Sequence, residues 1–302
     1  MPIHPLRLSN GELEAEILPE WGALLADLWH RPSDVHWLRR APDPETLRKS
    51  PSVYGMPILF PPGRISEGRF SLAGAQFHWP LNDPDGPNHL HGFVAGVPWT
   101  TVRRSPEAAT LARTSDGRQD AFGAPFAIEV QYRLRAESLH ITVSLTNPGP
   151  GPIPAALGFH TNIDLAIVDY ACHLPRWEPW ILNSALIPVG GRQPMRPPAI
   201  VRGRDFVLDQ PYRLADDEDP TVSMDMVGRP WQVSLQGDGH FRQWVLYRPD
   251  AAADFFAVEP YTWVSNAPNL PLPPAETGLA VLAPKQRVEF RCAIRFHQGP
   301  TA

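Results

Sequence analysis

Two histidines and a glutamate stand in segments whose neighbours give them chemical meaning. Glu259 follows Phe255-Phe256-Ala257-Val258 and precedes Pro260. Carboxylates are rarely placed in such apolar runs unless they are paired or functional. Glu259 therefore has two readings: an acid satisfied by backbone N–H groups, or a proton-transfer group. His160 follows the small, apolar run Ala155-Ala156-Leu157-Gly158-Phe159. It is either a core histidine bonded to a carbonyl or a proton donor, since an imidazole titrates near working pH and small shifts set its state. Asn88-His89-Leu90-His91-Gly92 supplies two more imidazoles. In a strand His89 and His91 would share a face. A carboxylate and an imidazole can together move one proton off and one proton onto a substrate.

Metal chemistry fits these residues poorly. His-x-His is a common ligand spacing, but the next acid after His91 is Glu107. Zinc or iron needs three or four ligands, and no compact set is visible. No metal and no cofactor are expected. Arg64 ends the apolar, proline-bounded stretch Gly55-Met56-Pro57-Ile58-Leu59-Phe60-Pro61-Pro62-Gly63. Its fork of donors either reaches a pocket or caps a loop carbonyl. Tyr261 and Trp263 either form a sugar platform or pack.

The elements that must position these groups read as strands. Phe126, Ile128, Val130, Tyr132 and Leu134 alternate with more polar residues, and Leu139, Ile141, Val143 and Leu145 repeat the pattern after a short link. This predicts an antiparallel hairpin with one buried face. Val288, Phe290, Cys292, Ile294 and Phe296 predict another half-buried strand. Shorter strands are expected at Leu13–Leu18, Trp231–Leu235 and Gln243–Tyr247. Residues 23–29 suit a helix or a strand equally. Residues 43–48 can form a turn or two of helix after Pro42. Asn147–Pro154 and Pro188–Pro198 read as loops. The 37 prolines each fix φ and remove a donor, which opposes long helices. The expectation is a single all-β domain over residues 1–302, built of stacked antiparallel sheets.

Composition narrows the partners. A formal charge of −5 over 302 residues, with no basic tract, gives no reason to expect nucleic acid or a membrane surface. Asp216-Asp217-Glu218-Asp219 reads as a solvated loop. Two cysteines, Cys172 and Cys292, cannot build a disulfide framework. Met1-Pro2-Ile3-His4-Pro5 lacks the pattern of a leader, and no apolar run would span a bilayer. A cytoplasmic location is the default.

In order along the chain, these fragments resemble the aldose 1-epimerase (galactose mutarotase-like) family. The resemblance rests on Pro57–Pro61 with Arg64-Ile65, Asn88–Gly92 with Trp99, Leu157–His160, Leu208-Asp209-Gln210-Pro211-Tyr212, and Val258–Thr262 with Asn266-Ala267. Asn10-Gly11 and Trp21-Gly22-Ala23 also fit. The chain departs from the family pattern at Thr161-Asn162-Ile163-Asp164 and at Phe93. The resemblance implies a β-supersandwich and a small-molecule sugar as partner, in a monomer or homodimer. It implies Glu259 as the base at the C1 hydroxyl, His160 as the acid at the ring oxygen, and His91 assisting. Arg64 and Asp209 would bind hydroxyls, with Asn88 and His89 beside them. Asp205 is an alternative to Asp209. A hexose-6-phosphate 1-epimerase is a second reading, with Arg103, Arg104, Arg192 and Arg196 as its phosphate candidates. A non-catalytic sugar-binding protein is a third.

Overall fold

The computed structural model describes residues 4–118 and 120–299. Residues 1–3, on which the reading of the N-terminus partly rests, lie outside the described residues.

The predicted hairpin forms as strands Phe126–Arg135 and Ser138–Thr146, paired antiparallel with Val130 opposite Val143. Its alternating apolar residues face inward because side chains on successive strand residues point to opposite faces. The hairpin sits inside a nine-stranded antiparallel sheet. Strand Arg287–Gln298 flanks it and buries Phe290, Cys292, Ile294 and Phe296. A second sheet of eight strands contains Trp177–Leu182, Leu208–Leu214, Gln243–Arg248, Phe255–Tyr261, Gly158–Phe159 and Ile58–Leu59 in hydrogen-bonding order. Thr161–Asp164 also pairs with Phe255–Tyr261. The two sheets enclose one continuous apolar core. Rings cross between them: Tyr170 lies 6.2 Å from Phe256, and Phe60 lies 5.1 Å from Phe126.

Three local outcomes bear on the site. Leu24–His30 is a strand, paired with Leu13–Leu18, so the ambiguity over residues 23–29 resolves toward β. A short helix spans Pro44–Lys49, with Asp43 accepting from the Glu45 and Thr46 amides. Such a cap satisfies donors that the first turn leaves unpaired. The loop expected over Pro188–Pro198 is corrected in part. Pro188–Arg192 is the edge strand of the eight-stranded sheet, paired irregularly with Trp177–Leu182. Gly190 and Gly191 hide its pattern, and an edge tolerates Pro188. No helix among the described residues is long and apolar enough to cross a membrane.

Candidate active site

Strand Phe255–Tyr261 is buried on both faces, and that explains the acid in its apolar run. Phe256 and Val258 point into the core. The other face carries Glu259 and Tyr261. Register extends this face across the sheet: Glu259 is opposite Val245, Val245 opposite Pro211, and Tyr247 opposite Asp209. Asp209, Pro211, Val245, Tyr247, Glu259 and Tyr261 all line one cleft of about 580 Å³. The volume is ordinary for a small-molecule site.

Glu259 is the floor of this cleft. Tyr261 donates its hydroxyl to Glu259 Oε2 at 2.5 Å. The other oxygen, Oε1, lies 3.4 Å from His160 Nε2. Both side chains are almost fully buried. Burial holds the Glu259 carboxyl well above the usual range, opposed by the Tyr261 hydrogen bond. Burial lowers His160 to about 4. Both shifts follow from loss of hydration around the charged form.

His91 joins the pair, with its ring 5.6 Å from that of His160 and nearly perpendicular. Burial lowers its pKa well below the ordinary value, helped by His160, Arg64 and His89. The strand ends at Leu90. His91 and Gly92 both take left-handed backbone, with φ of 62° and 73°. A Cβ on Gly92 would sit 2.0 Å from the Phe60 carbonyl oxygen, so only glycine fits there. This turn breaks the alternation, and His89 does not share a face with His91. His89 lies outside the cleft. It stacks on Phe93 at 4.6 Å, approaches Trp79 at 5.1 Å, and its Nδ1 meets the Pro80 carbonyl at 2.8 Å. The expectation that it binds substrate is therefore corrected: it is a packed interior group.

Arg64 reaches the cleft from strand Arg64–Ser66. Its Nε donates to Asp83 Oδ2 at 3.0 Å and its Nη1 to Asp209 Oδ2 at 3.3 Å. Asp85 approaches Nη2 at 3.8 Å. Asn88 is also not part of the cleft lining; its amide donates to Asp83 Oδ2 at 2.8 Å. It thus supports the acid that holds the arginine. Asp209 lines the cleft, whereas Asp205 is exposed in the turn Gly203–Asp205. Sequence reasoning missed Asp83 and Asp85. Their only signal is two acids in the proline-punctuated stretch Asp83-Pro84-Asp85-Gly86-Pro87, which reads as a turn.

None of the four arginines considered for a phosphate lines the cleft. Arg103 and Arg104 lie on an exposed strand. Arg192 is bound by Glu178 and Glu276. Among the described residues, no group of three or more His, Cys, Asp or Glu side chains is arranged to hold a metal.

Residues 5–295 match the family model described as aldose 1-epimerase. The rat galactose mutarotase is 26% identical over 226 residues, 70% of this chain and 62% of that protein. The uncharacterised protein YihR of Escherichia coli is 27% identical over 139 residues, 44% of each chain. These matches span less than two thirds of the relatives' own lengths. Among solved structures, a galactose mutarotase-like protein from Clostridium acetobutylicum superposes with a TM-score of 0.90 at 20% identity, covering 98% of this chain and 96% of that one. A GalM/aldose epimerase homologue from C. elegans gives 0.81 at 18% identity, covering 99% of this chain and all of the other. At such identities the structures establish the fold, which is of the galactose mutarotase type. With the family model matched over nearly its whole length, this chain belongs to the aldose 1-epimerase family.

Proposed function

We propose that this protein interconverts the α and β anomers of an uncharged aldose, with Glu259 and His160 as the proton-transfer pair. The observation that carries the reading is the 3.4 Å approach of His160 Nε2 to Glu259 Oε1 at the floor of the cleft. Without sugar the pair shares one exchangeable proton, with both groups in their neutral forms. Moving that proton from the carboxyl to the imidazole produces a carboxylate and an imidazolium without changing total charge. With a sugar bound, the Glu259 carboxylate takes the proton of the C1 hydroxyl. The His160 imidazolium gives its Nε2 proton to the ring oxygen. The C1–ring oxygen bond breaks as the C1 carbonyl forms. Rotation about C1–C2 presents the other face. The groups then reverse roles: His160 takes the proton from the C5 hydroxyl and Glu259 returns one to the former carbonyl oxygen. Nothing is consumed, so no cofactor is required.

His91, largely neutral because its pKa is lowered, offers a hydrogen bond near the ring oxygen. Arg64 and Asp209 present a donor and an acceptor to vicinal hydroxyls. Charge supports an uncharged sugar over a 6-phosphate. Asp83, Asp85 and Asp209 already surround Arg64. The other cation on the lining, Lys49, is engaged by Glu45 at 2.8 Å. An acid–base pair at the floor favours an enzyme over a binding module.

The test is α/β exchange by NMR with glucose, galactose and their 6-phosphates. Acceleration for a neutral sugar is expected. Acceleration confined to the phosphates would overturn the charge argument, and folded protein that speeds none of several neutral aldoses would overturn the enzymatic reading.

A further inference from the structure

We propose that Asn162 is a positioning residue that holds neutral His160 with its proton on Nδ1, so that Nε2 alone exchanges protons in the cleft. The inference rests on the acid–base reading of His160 and Glu259.

Asn162 lies two residues beyond His160 in an extended segment, so the two side chains share a face. Its side chain is completely buried. The amide nitrogen donates to three backbone carbonyls: Ser52 at 2.9 Å, Gly55 at 3.0 Å and His160 at 3.0 Å. Its own backbone is held as well, with its N–H on the Gly55 carbonyl and its carbonyl taking the Arg39 N–H. Three acceptors around one end of the amide decide its orientation. Reversal would press Oδ1 against three carbonyl oxygens.

Two complementary atoms are then left over. Asn162 Oδ1 and His160 Nδ1 are both buried and both lack a hydrogen-bond partner. The first can only accept. The second can donate if it carries the proton. Buried polar groups are nearly always paired, and these two belong to side chains two residues apart that alternation puts on one face. The Asn162 side chain favours the protonated ring, as does the His160 carbonyl. Thr161 Oγ1 is also unpaired, but alternation places it on the opposite face.

The consequence is a defined tautomer. With Nδ1–H turned to Asn162, the neutral ring shows a bare Nε2 to Glu259 and to a sugar. Imidazolium then has one proton that can leave toward the substrate. The hydrogen bond made by one ring nitrogen commonly decides whether the other is the active one. Asn162 also joins His160 to the cleft rim, because Ser52 lines the cleft. The ionisable groups that face the ring are Glu259, His91 and Tyr247.

The decisive measurement is the long-range ¹H–¹⁵N NMR spectrum of histidine-labelled wild-type protein without sugar, with the His160 signals assigned by loss in His160→Gln. The expected result is neutral His160 with protonated Nδ1 and bare Nε2. The opposite tautomer overturns the proposal, whether or not anomers exchange. The stated tautomer without any anomer exchange would leave the positioning role intact and remove the enzymatic reading instead. Asn162→Ala gives the second readout. It should mix the tautomers and lower kcat by about 10- to 100-fold, the size seen when a metal-ligating histidine loses the hydrogen-bond partner of its other nitrogen, with KM within about 2-fold. An unchanged tautomer and kcat would overturn the proposal. Should that variant fail to fold, the wild-type tautomer decides alone.

Discussion

His160 and Glu259 face each other across 3.4 Å with both side chains withdrawn from solvent. Burial displaces their pKa values in opposite directions, the acid upward and the base down to about 4. Each is thereby pushed toward its uncharged form. The pair titrates as a unit, and its apparent constants belong to both residues.

The exchange rate should accordingly be flat between about pH 4 and the raised value of Glu259. Below about 4, the value to which burial lowers His160, a second proton joins the pair. At the upper limit the shared proton leaves as pH passes the raised value of Glu259. Between these limits the pair keeps one proton, and the active arrangement is an internal transfer with no net uptake. Polarimetry or NMR from pH 3 upward, corrected for the buffer rate, would check this. A rate that climbs through pH 6.5, as for an ordinary histidine, would contradict the burial argument.

Glu259→Gln should abolish catalysis while stabilising the fold. Gln mimics the protonated carboxyl: its carbonyl still accepts from Tyr261, and its amide can donate to His160. Loss of a general base lowers rates by about 10²–10⁴-fold. The stability sign follows from the raised pKa. The unfolded carboxyl ionises near 4.5 and the folded one only above that, so the folded state binds more protons and wild-type stability falls as pH rises from 4.5. Gln does not titrate. Its melting temperature should match that of wild type near pH 4.5 and exceed it increasingly toward neutrality. Parallel pH–melting curves would show that Glu259 is ionised in the folded protein.

Parts of the site were legible because local chemistry was out of place. A carboxylate beside Phe255–Val258 needs an explanation wherever the chain goes, and Glu259 has one. Clean alternation over residues 126–145 likewise required a half-buried hairpin. Other features depend on long-range pairing. Arg64 meets Asp83 and Asp209 only after folding, and nothing near Asp83 marks it as buried. The opposite fates of His89 and His91 hinge on two consecutive left-handed residues. Gly92 hints at that turn, but a histidine in the same conformation does not. Pro188–Arg192 escaped because an edge strand with paired glycines has no alternation to read.

Those two histidines should separate cleanly on mutation. His89→Ala removes a ring stacked on Phe93 and leaves the Pro80 carbonyl without its partner. By comparison with buried aromatic truncations, it should cost about 3 kcal/mol of stability, with KM near wild type in the folded fraction. His91→Gly removes the ring at the cleft and relieves a left-handed residue of its side chain. Stability should hold or rise by about 1 kcal/mol, and kcat should fall by about 10²-fold. Thermal melts and exchange rates on both variants check the contrast. A raised KM in His89→Ala with normal stability would return His89 to the substrate-binding residues.

Asp83 is the residue on which the sugar-binding side of the cleft should depend. Its side chain is fully shielded and accepts from both Arg64 Nε and the Asn88 amide. Asp83→Ala removes the acceptor of Arg64 Nε and one of two acceptors of the Asn88 amide, while Asp209 still holds Nη1 and the Ala185 carbonyl still holds the amide. The loss should therefore fall below the roughly 3–5 kcal/mol that breaking a sole buried ion pair costs. Arg64 would then swing toward Asp209 and Asp85, withdrawing the donor offered to substrate. KM should rise more than kcat falls, because the Glu259–His160 pair is untouched. The double variant Asp83→Ala/Arg64→Met should recover part of the lost stability, since it removes the guanidinium Nε that Asp83 no longer satisfies and keeps an apolar side chain in its place. It should not recover KM. A double variant no more stable than Asp83→Ala would mean that the acid supports its loop rather than the arginine.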